Sequence, residues 1–264
     1  MFPADPASVN QATRFRVTLR RALSGLHATL LPPRCLLCGG QGQAQLTPLA
    51  WSGPLELCAA CQAELPRAPA WQPVAGGFER VCCPWAYRWP VDQLVRALKF
   101  TGERSHARLL GTLLALERQA LGPPWPQLLV PVPLHPMRLR ERGYNQAGEL
   151  ARFAGLASGL PVRAQALERL RATREQSGLG AAGRAANVAG AFRARVHRAG
   201  GPPAGLRVAL LDDVVTTGST AVAAAQALRA AGAAGVELWA VARALRRRDA
   251  PGVPAAGEPQ WPDV

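Results

Sequence analysis

Lysine is almost absent from this chain of 264 residues: 31 residues are Lys or Arg, and Lys99 is the one lysine. The preference for Arg, with many Ala, Gly and Pro residues, indicates a coding-composition bias as well as selection for binding. The formal net charge of +14 therefore does not identify a partner by itself. It is compatible with nucleic acid or with a pyrophosphate-bearing substrate. Aromatic residues, at 6%, are too sparse to indicate a base-stacking platform on their own.

Long hydrophobic runs are also missing. No apolar run reaches the roughly 18 residues that a membrane-spanning helix needs, although a hydrophobic content of 48% is enough for a buried core. A signal peptide is not indicated, because arginines near the N-terminus are followed by only a short Leu-containing stretch before Pro32 and Pro33. We therefore expect a cytoplasmic protein with no membrane span. Its length suits one α/β domain of about 150 residues and a smaller unit.

An acidic pair and a hydroxyl-rich loop form the most informative stretch of the chain. Asp212 and Asp213 follow the apolar run 206–211, and the loop 216–220, with Gly218 at its centre, precedes an Ala-rich segment of helical character. The stretch is neither a Walker A loop nor a G-x-G-x-x-G motif. Its order predicts a buried strand that ends before the acidic pair, with a ligand site at the carboxyl end of that strand.

Each part of this stretch suits a sugar that carries a phosphate. The loop can turn backbone N–H groups and hydroxyls toward an anion at the positive end of a helix beginning near Thr220, and Gly218 allows a close approach of the backbone. Two carboxylates repel a phosphate, so Asp212 and Asp213 are expected to accept hydrogen bonds from vicinal ribose hydroxyls or to face a metal ion. The alternative is an ordinary Asp cap and a Ser/Thr-rich turn, which leaves the second Asp unexplained.

The cysteines predict a structural metal site. Two C-x-x-C pairs can present four thiolates to Zn²⁺, and these are Cys35, Cys38, Cys58 and Cys61. Disulfides suit a reduced cytosol poorly, and two copies around a short loop do not resemble one redox site. Because four sulfur ligands close the coordination sphere, the zinc is expected to stabilise the fold and not to catalyse. The adjacent Cys82 and Cys83 are expected to pack in the core.

A second connection carries three arginines. Residues 127–132 are predicted to form a buried strand and residues 145–158 an amphipathic helix, and between them lie Arg138, Arg140 and Arg142. Prolines at the start of this connection predict a loop. The guanidinium group pairs two phosphate oxygens at once, so the loop is interpreted as phosphate-facing. The alternative is an exposed loop whose arginines are only solvated.

The pattern divides the chain into five segments. They are a basic helix at 1–31, a zinc-binding module at 32–65, a linker at 66–85, the α/β domain at 86–245 and a disordered tail at 246–264. Within the α/β domain, residues 168–187 are charged and then rich in Gly and Ala. This segment is either a mobile lid or an ordinary surface connection.

The acidic pair and loop resemble the signature of the type I phosphoribosyltransferases. The whole chain is similar to the ComF family, which couples a four-Cys zinc module to a phosphoribosyltransferase-like domain. The matching stretches, in the order of the family, are the four cysteines, Leu98-Lys99-Phe100, the segment 131–146 with Arg-Gly-Tyr-Asn-Gln, the segment 173–187 with Gln-Ser-Gly-Leu, and Asp-Asp-Val-Val-Thr-Thr-Gly-Ser-Thr.

The resemblance implies a doubly wound parallel sheet and a site for phosphoribosyl pyrophosphate. By this resemblance Asp212 and Asp213 would hold the ribose hydroxyls, and the loop would hold the 5-phosphate through Val215, Thr216, Thr217, Gly218, Ser219 and Thr220. Mg²⁺ and the three arginines would neutralise the pyrophosphate, and Lys99 is a further candidate for a phosphate contact.

The resemblance also implies a role in DNA uptake during natural competence, or in the use of DNA as a nutrient. Two hypotheses follow: a working transferase, or a non-catalytic module that senses phosphoribosyl pyrophosphate or a nucleotide and engages single-stranded DNA or competence proteins. No segment that would recognise a nucleobase is evident, so the sequence predicts no acceptor.

Overall fold

The computed structural model describes residues 33–43, 54–71, 77–100, 104–171, 190–195 and 204–245. The predicted basic helix at 1–31, residues 172–187 of the predicted lid, and the predicted tail at 246–264 lie outside the described residues.

Short strands and mostly longer helices alternate along the described chain. The helices are α1 (Ala59–Ala63), α2 (Val91–Phe100), α3 (Arg104–Ala120), α4 (Pro136–Arg142), α5 (Gln146–Ser158) and α6 (Ser219–Ala230). The strands are β1 (Val81–Cys82), β2 (Trp85–Ala86), β3 (Leu128–Pro131), β4 (Leu167–Arg169), β5 (Phe192–Ala194), β6 (Arg207–Val215) and β7 (Gly235–Arg243). No helix in the described part of the chain is long and apolar enough to cross a membrane.

The centre of the fold is a parallel sheet. β7 and β6 are its middle strands. β1 and β2 lie end to end along the outer edge of β7, and β3 lies on the far side of β6. Every residue of β7 is buried, as expected for a parallel strand that is covered on both faces. β4 and β5 form a separate antiparallel pair. The predicted parallel α/β sheet is confirmed.

Alternating side chains of the sheet enter two different cores. One core lies against α2, α3 and α5 and takes sheet residues such as Leu129, Leu211 and Trp239. The other lies against α6 and takes residues such as Val130 and Leu210. Successive side chains of a strand point to opposite faces, so helices cover both faces of the sheet. The two cores reach Val215 of β6 and Ala242 of β7, near its carboxyl edge.

The segment that the sequence assigns to a linker contributes to the sheet. Val81 and Cys82 pair with Leu238 and Trp239 of β7, and Cys82 is buried, as predicted from its apolar surroundings. The prolines and glycines before Val81 hid this pairing, because two residues are too short to show a strand period.

The four-Cys module packs directly on the α/β domain. Leu55, Leu57 and Leu65 belong to the same core as α2 and α3. Glu56 is buried and pairs with Arg108 of α3. The module and the sheet are therefore stabilised by one continuous hydrophobic core.

Candidate functional site

The acidic pair lies within β6 and not after it. The sequence predicts that the strand ends before Asp212, but β6 continues to Val215 and pairs with β7 up to Arg243. The reason is the backbone hydrogen bonding between β6 and the buried strand β7. This pairing cannot be inferred from the residues of β6 alone. The two carboxylates are thus held on a rigid strand at the carboxyl edge of the sheet.

Hydrogen bonds fix the orientation of both carboxylates. The N–H of Asp213 donates to Oδ1 of Asp212 at 2.9 Å, and the N–H of Val214 donates to Oδ1 of Asp213 at 2.8 Å. The other oxygen of Asp213, Oδ2, lies 3.0 Å from the Nζ atom of Lys99. Asp213 is therefore anchored through both of its oxygens.

The surroundings of the acidic pair shift the pKa values of Asp212 and of Lys99. Burial and the neighbouring Asp213 carboxylate raise the pKa of Asp212 well above its ordinary value, since two close negative charges in a poorly solvated site repel each other. For Lys99, burial acts to lower the pKa, but the charge and hydrogen bond of Asp213 outweigh it and raise the pKa. The lysine thus remains protonated at neutral pH and partly compensates the acidic pair.

The hydroxyl-rich loop turns into a helix N-terminus, as predicted. Gly218 has φ of +78° and is the N-cap residue of α6, so it offers no capping side chain, and the N–H of Ser219 donates to Oγ1 of Thr217 at 3.4 Å. Backbone N–H groups of the first turn are therefore available to an anion. The hydroxyl groups of Thr217 and Ser219 are 2.7 Å apart and hydrogen-bonded. Thr216 is exposed, and Thr220 is half-buried in the first turn of α6.

The three arginines of the second connection lie on a short helix, α4, and not in a loop. Pro136 occupies the first turn, the side chain of His135 caps the N-terminus by accepting from the N–H of Met137 at 3.3 Å, and Gly143 ends the helix with φ of +79°. Proline is tolerated at the first helical position because its missing N–H would be unpaired there. The sequence interpretation of the prolines was therefore wrong at this point.

The helical geometry separates the arginines. Residues four apart share a helix face, whereas residues two apart are about 200° round the axis. Arg138 and Arg142 therefore lie on one face of α4 and Arg140 lies on the other. Arg138 and Arg140 are exposed, and Arg142 is half-buried. One anion can meet the first pair or Arg140, but not all three.

Two residues near α4 connect the pieces of the site, and the sequence analysis did not assign a role to either. Tyr144 donates its hydroxyl hydrogen to the carbonyl oxygen of Leu98, next to Lys99. Asn145 donates from Nδ2 to the carbonyl oxygen of Val132 at 3.0 Å. The sequence feature that could have indicated their role is their position directly after Gly143, in the Arg-Gly-Tyr-Asn-Gln stretch. These two hydrogen bonds connect the segment after α4 to the last turn of α2, which carries Lys99, and to the end of β3.

The four predicted cysteine ligands converge. The Sγ atoms of Cys35, Cys38, Cys58 and Cys61 all lie within 4.8 Å of one another, and those of Cys38 and Cys58 are 3.7 Å apart. A tetrahedron with Zn–S bonds of about 2.3 Å has edges of about 3.8 Å. All six cysteines of the chain are free thiols. The cluster therefore has the donor set and the spacing of a structural zinc site.

The ionisation of the cysteines also favours a cation. Burial acts to raise the pKa of Cys35, but hydrogen bonds from backbone N–H groups outweigh it and lower the pKa to about 6. Burial and the neighbouring thiols raise the pKa of Cys61. Cys35 thus favours the thiolate while ionisation of Cys61 is opposed, and a divalent ion would remove that opposition.

The fold and these two sites define a class. The class is that of a phosphoribosyltransferase-like fold with a four-Cys module: a parallel α/β sheet carries an acidic pair on a middle strand and a glycine-containing hydroxyl loop at the following helix.

Comparison with known proteins identifies the family. The chain is 36% identical over 192 residues to DNA utilization protein YhgH of Salmonella typhi. The aligned residues make up 71% of this chain and 78% of that protein. The same protein of Escherichia coli K12 is 34% identical over 192 residues, with the same coverage. Competence protein F of Haemophilus influenzae is 34% identical over 162 residues, or 60% of this chain and 70% of that protein. The chain belongs to this family, the ComF family indicated by its motifs. No protein-family model matches it.

Solved structures resemble the chain more distantly. An allosteric regulatory enzyme of purine biosynthesis is 23% identical with a TM-score of 0.35, over 52% of this chain and 26% of that one. A purine phosphoribosyltransferase of Pyrococcus horikoshii is 15% identical with a TM-score of 0.29, over 57% of this chain and 70% of that one.

Proposed function

We propose that this protein binds phosphoribosyl pyrophosphate at the carboxyl edge of its sheet and acts in the uptake or utilisation of DNA. The observation that carries the proposal is the geometry around β6: two oriented carboxylates lie on the strand that leads, through the loop 216–218, into a helix whose N-cap residue is Gly218. The names of its relatives, a DNA utilization protein and a competence protein, support the biological role.

The charges of the site suit the parts of this substrate. The first turn of α6, with Thr216 to Thr220, would bind the 5-phosphate through N–H groups and hydroxyls. Asp212 and Asp213 would accept hydrogen bonds from the ribose hydroxyls. Arg138 and Arg142, which share a face of α4, would approach the pyrophosphate. A sugar with an anion at each end fits an acidic centre between two anion-binding parts.

Magnesium would enter this site with the substrate. Mg²⁺ in such sites is held largely by substrate phosphates, so the pyrophosphate would supply its ligands, while Asp212 and Asp213 would accept hydrogen bonds from the ribose hydroxyls. When bound, it would neutralise charge on the leaving pyrophosphate.

A transferase reaction at this site would replace one bond at the anomeric carbon. An acceptor nucleophile would form a bond to that carbon, while the bond to pyrophosphate breaks and its electron pair leaves with the pyrophosphate. The arginines of α4 would stabilise the departing charge, and Asp212 and Asp213 would hold the ring.

Calorimetry with Asp213→Asn tests the binding proposal. Loss of a hydrogen bond to a charged group is worth about 1.5 to 3 kcal/mol, so we expect the affinity for phosphoribosyl pyrophosphate with Mg²⁺ to fall by about 10- to 100-fold. Asp92→Asn is the matched control, because Asp92 also accepts from the N–H of the next residue, at 2.9 Å, but lies at the start of α2. Unchanged affinity in Asp213→Asn contradicts the ribose assignment. Release of pyrophosphate with a panel of bases separates a transferase from a binding protein.

A second candidate function is binding of single-stranded DNA, and α4 favours it. Arg138 and Arg140 are exposed on opposite faces of this short helix, and Met137 and Leu139 are exposed beside them. Such a projection can contact phosphates and bases together.

Salt dependence tests the DNA candidate. Binding to a labelled oligonucleotide should weaken with salt, with a slope of about −0.7 for each phosphate contact. The double variant Arg138→Gln, Arg140→Gln should make the slope shallower by about one to two contacts. Arg152→Gln, an exposed arginine of α5 paired with Glu149, is the control. Equal effects of the two variants, or no salt dependence, count against a DNA site on α4.

A further inference from the structure

The chain's one lysine lies on its acidic pair. Lys99 is in the last turn of α2, and its Nζ atom is 3.0 Å from Oδ2 of Asp213. The side chain of Lys99 is 25% exposed and that of Asp213 is 16% exposed. The ion pair is therefore partly shielded from water, where a charge is felt more strongly than at an open surface.

The backbone of α2 holds Lys99 in this position. Leu94, Val95 and Leu98 on the same helix are buried in the core. Tyr144 donates its hydroxyl hydrogen to the carbonyl oxygen of Leu98. The buried side chains and the hydrogen bond from Tyr144 hold the helix in place. Formation of the ion pair therefore has to order only the side chain of Lys99. The Lys99–Asp213 ion pair is thus formed by the fold itself.

Both oxygens of Asp213 are already in use. Oδ1 accepts from the N–H of Val214 at 2.8 Å, and Oδ2 faces the ammonium group of Lys99. Two adjacent carboxylates without a counter-charge would attract a divalent cation. Here such a cation would have to displace the ammonium group and then remain beside its positive charge. A neutral hydroxyl group meets no such repulsion and can share the remaining lone pairs of the carboxylate.

We propose that Lys99 is the fixed counter-ion of Asp213 and keeps a free divalent cation away from the acidic pair. The pair then remains available for the hydroxyl groups of a substrate that brings its own metal ion on its pyrophosphate. The nature of this substrate rests on the proposed function, whereas exclusion of the free ion does not. Lys99 is accordingly a specificity-determining residue, and the phosphate contact expected for it from the sequence stays a prediction.

Manganese binding to the unliganded, zinc-loaded protein tests this role. Free and bound Mn²⁺ are distinguished by electron paramagnetic resonance during titration of the wild type, Lys99→Met and Lys99→Arg. Methionine keeps much of the length of the side chain without its charge, and arginine keeps the charge. We expect Lys99→Met to bind Mn²⁺ at least tenfold more tightly than the wild type, and Lys99→Arg to bind it as weakly as the wild type.

A double variant locates the gained site. Adding Asp213→Asn to Lys99→Met should abolish the gain, and Lys99→Gln is the second neutral variant if Lys99→Met does not fold. Equal Mn²⁺ affinity in the wild type and the neutral variant, or a gain that survives Asp213→Asn, overturns the proposal. A separate titration with phosphoribosyl pyrophosphate distinguishes the two proposals: no binding of it, together with the expected manganese result, rejects the proposed function and leaves the counter-ion role standing.

Discussion

Removal of the metal from the four-Cys module should destabilise the whole α/β domain. Leu55, Leu57 and Leu65 follow or lie between the cysteines and are 2%, 0% and 5% exposed in the core shared with α2 and α3. Burial of one leucine is worth about 1.5 to 3 kcal/mol, so loss of the module's packing would remove about 5 to 9 kcal/mol. This is comparable with the entire stability of a typical domain, about 5 to 15 kcal/mol.

Thermal unfolding followed by circular dichroism measures the effect. At about 2 °C or more for each kcal/mol in a chain of this size, we expect the midpoint of the chelator-treated protein and of Cys38→Ser to fall by at least ~10 °C. Cys83→Ser, a half-buried thiol outside the cluster, is the control and should keep its zinc and most of its stability. A sample shown by elemental analysis to be free of metal, yet unfolding within ~2 °C of the untreated protein, would refute the reasoning.

Two further predictions concern the candidate site. Because burial raises the pKa of Asp212 above its ordinary value of 3.8, the folded state keeps a proton that the unfolded state has released, and stability falls as pH rises above 3.8 toward the raised pKa. Asp212→Asn removes this loss, so its stability relative to the wild type in urea unfolding should increase with pH over that window; a difference independent of pH contradicts it. Gly218→Ala places a side chain at φ of +78°, which costs about 1 to 2 kcal/mol and should lower both the midpoint of unfolding and the affinity for phosphate. Gly148→Ala, whose added Cβ would lie 3.5 Å from its nearest neighbour, should leave both unchanged or raise the midpoint, and equal effects of the two variants argue against a special conformation at Gly218.

The sequence predicted best those elements whose signal is local. The strand predicted at 127–132 is a continuous apolar run and the helix predicted at 145–158 has a clear period, and each is confirmed to within a few residues. The convergence of the four cysteines is confirmed as well, because the C-x-x-C spacing itself places two thiols on one turn.

Two of the three failures have non-local causes, and the third is local. β6 extends through Asp212 and Asp213 because β7 pairs with it. Pairing between segments that are distant in the chain cannot be inferred from the local sequence of either segment. α4 was interpreted as a loop because the prolines were counted without their position in the helix. The partner of Lys99 was likewise hidden, since its ion pair joins α2 to the far end of the chain.

The metal module and the acidic pair are linked through α2. The leucines of the module pack in the core that also buries Leu94 and Leu98 of this helix, and the next residue, Lys99, contacts Asp213. The position of α2 therefore sets where the ammonium group of Lys99 lies relative to the Asp213 carboxylate. A metal ion in the four-Cys cluster would therefore act on the acidic pair without touching substrate, by stabilising the core that holds the helix carrying Lys99.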